Sequence, residues 1–76
     1  MDMKTFLKNT SPDEREALAN RLGTSVAYFW QIAGGHRKPS ALLCRRLEAA
    51  SGGLISAAEL RPELFGSIDP FGSLQQ

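Results

Sequence analysis

A chain of 76 residues has room for one small domain, and a domain of that size buries only ~60% of the surface its unfolded chain exposes. Apolar residues make up 42%, the share of an ordinary soluble globule, and no apolar run approaches the ~18 residues that cross a bilayer. One cysteine, Cys44, excludes an internal disulfide, no Cys/His cluster has zinc spacing, and the charged start (Asp2, Lys4, Lys8) is no signal peptide, so a cytoplasmic protein without metal or other cofactor is expected.

The net charge of +1 conceals an uneven distribution. Up to residue 33 the acids Asp2, Asp13, Glu14 and Glu16 balance the bases Lys4, Lys8, Arg15 and Arg21. Residues 34–47 carry Arg37, Lys38, Arg45 and Arg46 with no acid, and beyond them Glu48, Glu59, Glu63 and Asp69 face Arg61 alone. A local basic patch is what phosphate contact needs, because counterion release depends on nearby charges rather than on the chain total.

In chain order, Met3, Phe6 and Leu7 share one helical face behind Asp2, a capping residue, and Asn9-Thr10 interrupts them. Ser11-Pro12-Asp13-Glu14 is the clearest start signal: Ser11 caps, Pro12 suits the first helical position, and Glu14 completes a capping box. That helix runs through Ala17, Leu18, Arg21 and Leu22 to Gly23, a natural stop. Thr24-Ser25 opens a third helix through Val26 to Ala33, ended by Gly34-Gly35. After a loop of His36, Arg37, Lys38 and Pro39, Ser40 caps a fourth helix to Ala50, with Leu43, Cys44, Leu47 and Ala50 on its inward face. Ser51-Gly52-Gly53 ends it, and Ser56 with Glu59 forms a second capping box opening a short turn that Pro62 closes.

These elements predict an all-α fold of four to five helices over residues 1–66, followed by a mobile tail rich in Gly, Ser, Gln and Pro over residues 67–76. A β-hairpin in place of the last helix is the alternative fold, which the second capping box disfavours.

Two helices between residues 14 and 33, joined by a short Gly turn, form the unit that lays its second helix in the DNA major groove. The crossing of such helices needs a small residue, Ala19, and the turn needs one tolerant of positive φ, Gly23. Leu18 and Leu22 on the first helix and Phe29 and Ile32 on the second supply the shared apolar seam. A generic helical hairpin shares the apolar spacing but has no need of both Ala19 and Gly23.

The stretch LGTSVAYFWQIAGGHRKPS over 22–40 resembles the core of the Cro/CI-type phage regulators. LEAASGG over 47–53 and ELRPELFG over 59–66 are similar to the YdaS-like branch, a group of Cro-like repressors and antitoxins. The resemblance covers residues 15–66 and implies a phage or prophage repressor that binds a palindromic DNA operator as a homodimer, within the nucleoid when bound.

With Phe29 and Ile32 inward, helical periodicity turns Ala27, Trp30 and Gln31 outward, with Ser25, Val26 and Tyr28 at the flanks. Gln31, whose amide pairs bidentately with adenine, is the base reader, and Ala27, Trp30 and Val26 complete the base-contacting set. Trp30 is expected to be substantially exposed, since turning it inward would expose Phe29. Ser25 caps the helix beside its free N–H groups and is a phosphate candidate together with His36, Arg37, Lys38, Ser40 and Arg15, and the resemblance to the phage regulators implies a phosphate contact at Tyr28 as well. Arg45 and Arg46 are read as solvated, Glu48 as solvated or paired with one of them, and Cys44 as a buried small hydrophobe.

With a single histidine in a basic loop and no Gly-rich phosphate loop after a strand, no enzyme is expected. Leu54, Ile55, Leu60, Leu64 and Phe65 exceed what a small core absorbs and are the dimer candidates. A module that grips a protein such as a toxin through its apolar third helix is the second reading.

Overall fold

The computed structural model describes residues 1–66, so the tail expected over 67–76 lies outside the described residues. The order is α1 (Met3–Lys8), α2 (Pro12–Arg21), α3 (Val26–Ala33), α4 (Ala41–Ala50) and α5 (Ala57–Leu60), then a single π-helical turn, Pro62–Gly66. No strand occurs among the described residues, so the all-helical reading stands and the hairpin alternative is set aside.

Each helix begins where a side chain accepts from its free N–H groups. Asp2 caps α1 through Thr5 N–H at 2.7 Å. Ser25 and Ser40 accept from Tyr28 and Leu43 N–H, each at 3.1 Å. Ser11 with Glu14 and Ser56 with Glu59 close full capping boxes on α2 and α5. The Asp2 and Glu59 carboxyls sit below their ordinary values. For Asp2 the cause is the Thr5 hydrogen bonds, and for Glu59 the Ser56 N–H first and then the chain's terminal ammonium.

The α2–α3 turn is set by Gly23 at φ +72°, with Thr24 N–H returning to the Ala19 carbonyl at 2.9 Å. A Cβ at Gly23 would meet nothing within 4 Å, so only the backbone conformation demands glycine there.

The core gathers Met3, Phe6 and Leu7 from α1, Ala19 from α2, Phe29 and Ile32 from α3, Leu47 from α4, and Ile55. Phe29, Leu7, Leu47, Ile55 and Cys44 are completely buried, and no polar or charged residue is buried with them among the described residues. Burial also pushes the Cys44 thiol above its ordinary pKa. α1 packs on α3, α2 on α3, and α4 on α5, which leaves one long side of α3 open.

Two expectations need correction. Ile55 is a core residue at 0% exposure and offers nothing to a second chain, because the α4–α5 connection folds it under the domain. Pro62 ends α5 but does not end the helical structure. Arg61 is held extended at φ −141° and ψ 77°, as a residue before proline must be, and the chain then makes its π turn with Leu64 and Phe65 N–H both on the Arg61 carbonyl.

Candidate nucleic-acid interface

Helix α3 carries no charge and is apolar except for its tyrosine hydroxyl, the indole N–H of Trp30 and the Gln31 amide. Phe29 and Ile32 take the buried side, while Ala27, Trp30 and Gln31 are exposed, Trp30 to 38%. The inward and outward sides therefore fall as helical periodicity places them. Val26 and Tyr28 are half-buried and pack against the core, so much of Val26 is turned away from the open side. Ser25 is exposed at the helix start, with its hydroxyl oxygen engaged by Tyr28 N–H.

The basic loop is tied directly to this helix. The carbonyl of Gln31 accepts from His36 N–H at 2.9 Å and from Arg37 N–H at 3.3 Å, so the cationic segment leaves from the backbone of the candidate base reader. His36, Arg37 and Lys38 are all exposed, as are Ala27, Trp30 and Gln31 on α3. A Cβ on Gly34 would stand 3.0 Å from the His36 ring, so the imidazole lies close over that glycine. Gly34 thus seats His36, a role that pairing it with Gly35 as a helix stop overlooked.

The loop is also held from the other side. Arg61 donates to the Pro39 carbonyl at 3.2 Å and to Glu63 at 2.8 Å, and Lys38 lies 3.7 Å from the same Glu63 carboxylate. The Arg61 hydrogen bond, with further help from Glu63's own backbone N–H and from the charge of Lys38, holds the Glu63 carboxyl below its ordinary value. Pro39 is buried, and the Cys44 thiol approaches its carbonyl at 3.8 Å. Arg61 and Pro39 were missed as loop anchors, and only the packing of the last turn on the loop reveals them.

Ser40 is exposed, with its hydroxyl oxygen capping α4. Arg15 is engaged within the domain: its Nη1 donates to the Leu7 and Thr10 carbonyls at 2.6 and 2.8 Å, and its guanidinium carbon lies 5.7 Å from the Trp30 ring centre. It joins α1, α2 and α3, contacts that its reading as a phosphate candidate in the first turn of α2 did not include.

The dimer candidates divide. Leu54 and Leu64 are about half exposed (52% and 49%), Leu60 packs against the core, and Phe65 lies under the Arg45 guanidinium at 5.1 Å. Arg46 is exposed, and neither it nor Arg45 pairs with Glu48 among the described residues.

No protein-family model matches the chain. It is similar to a prophage transcriptional regulatory protein of Escherichia coli strain K12, with 27% identity over 63 residues, covering 83% of this chain and 96% of that protein.

Proposed function

We propose that the chain is a sequence-specific, double-stranded DNA-binding transcriptional regulator of phage type, a Cro-like repressor that inserts α3 into the major groove and does no catalysis. The observation that carries this reading is the tie between α3, with Ala27, Trp30 and Gln31 exposed, and the exposed loop of His36, Arg37 and Lys38, made by the hydrogen bonds of the Gln31 carbonyl. A groove-reading helix followed at once by cations puts base contact and phosphate contact in register. The prophage regulator to which the chain is similar supports the regulatory role.

In this reading Gln31 reads a base edge, Ala27 and Trp30 line the groove, and Ser25, Tyr28, Arg37 and Lys38 meet phosphates. The protein acts as a dimer on a palindrome with half-sites about 34 Å apart, and Leu54 and Leu64 lie at the contact. Selecting duplexes from a random pool tests it. A palindromic consensus is expected. Gln31→Ala then relaxes preference at one base of each half-site by about 1–3 kcal/mol, whereas Arg37→Ala, which removes one phosphate contact from each half of the dimer, weakens every sequence alike and lowers the salt slope by about 1.8. A pool that yields no consensus, or two variants with unchanged affinity, contradicts the assignment.

The exposure of Trp30 on an uncharged helix favours a second reading, an antitoxin-type module that grips a toxin or other protein through this side of α3. Stoichiometric co-purification of a partner in DNA-free buffer, lost in Trp30→Ala, distinguishes it.

A further inference from the structure

We infer that Arg15 is a positioning residue for Trp30, and that the indole so held reads thymine methyl groups; the inference rests on the DNA-binding reading of α3. Three observations meet at this pair. The Arg15 Nη1 donates to the Leu7 and Thr10 carbonyls at 2.6 and 2.8 Å, so the guanidinium is fixed to the end of α1 and the loop after it. Its carbon stands 5.7 Å from the Trp30 ring centre, within the ~6 Å reach of a cation–π contact. Trp30 itself is 38% exposed on the open side of α3, next to Gln31 and one turn on from Ala27.

A large aromatic side chain on an exposed helix surface ordinarily samples several staggered rotamers. Here a cation anchored to α1 and the loop after it lies over the ring and limits that choice before any ligand arrives. The indole becomes a preorganised apolar plate beside the one base-reading amide. In the major groove the apolar feature such a plate matches is the thymine C5 methyl. Lysine does not reproduce the arrangement, because its ammonium could donate to the two carbonyls but has no planar face to set over the indole.

The test uses the full chain and its only tryptophan as a built-in probe. In free protein, acrylamide quenching of Trp30 emission should rise and its anisotropy fall in Arg15→Lys. On DNA, the probe is the selected duplex and a copy with deoxyuridine replacing thymine in one half-site. Wild type should lose about four-fold affinity for each methyl removed from contact, while Arg15→Lys and Trp30→Ala should bind both duplexes equally. Combining the two substitutions should change that ratio no further. Arg15→Gln, which keeps a planar donor without the charge, serves if Arg15→Lys does not fold, and the same outcomes are expected of it.

Unchanged quenching in the Arg15 variants overturns the positioning role. An unchanged thymine-to-uracil ratio together with a shallower salt slope overturns it too, since Arg15 would then be a phosphate ligand. If wild type binds no duplex, the DNA-binding reading and the methyl readout fall together, and quenching alone still decides whether Arg15 holds the indole.

Discussion

The two helices of the motif, α2 and α3, are stabilised in opposite ways. α2 reads Pro-Asp-Glu-Arg-Glu-Ala-Leu-Ala-Asn-Arg, and Ala19 is its one buried residue. Its stability comes from its ends: a proline in the first turn, a closed capping box, acids at the N-terminus, Arg21 in the last turn, and the return of Thr24 N–H to Ala19. α3 has only a serine cap and no charge at either end. It is held by Phe29 and Ile32, which seat it against α1 and α2. A helix fastened by its buried side does not need its outer side for stability, and that side is free for recognition. The helix fastened by its ends serves as the brace.

The largest test of this contrast is Phe29→Ala. Removing a fully buried aromatic anchor should cost about 3–5 kcal/mol, which for a domain this small means loss of the cooperative fold. Urea melts followed by circular dichroism measure it, and a loss within about 0.5 kcal/mol, that of an ordinary surface substitution, would mean that α3 is held elsewhere. Ser11→Ala should cost about 1 kcal/mol by opening the capping box of α2, with the selected DNA consensus unchanged because the outer side of α3 is untouched.

The smallest expected effect is the response to acid. Asp2, Glu59 and Glu63 all have folded pKa values below their ordinary ones, so each stabilises the fold fully above its unfolded value. That contribution is lost as pH falls through the lowered folded values. These groups cap α1, cap α5 and brace the last turn, whereas the α2–α3 seam is apolar. Acidification below the ordinary carboxylate range should therefore loosen the amides of the flanking elements before those of α3. Amide exchange measured across that range checks the order, and simultaneous loss would show that the flanks and the motif form one unit.

How much of this was legible in the sequence follows the same division. The α2 box, the Gly23 turn and the serine caps are local, since each is decided by residues within four positions, and the structure places them as expected. The two sides of α3 were legible because Phe29 and Ile32 had to meet Leu18, Ala19 and Leu22, which settled where Trp30 would lie. Arg15 was not legible, because its partners on α1 and α3 are brought together only by packing. Ile55 was misassigned for a related reason: an apolar residue between two glycines and a capping box gives no sign that the chain folds it inward. The anchoring of Pro39 by Arg61 spans 22 positions and is likewise tertiary.

The account stands on α3 and the loop behind it binding DNA together, and a salt titration of the selected duplex tests that most directly. With several phosphates engaged by each half of a dimer, log affinity should fall linearly with log salt, by about three orders of magnitude between roughly 50 and 200 mM. Arg37→Ala should make the line visibly shallower, and Gln31→Ala should shift it without changing its slope. A flat line for selected and random duplexes alike would contradict the account.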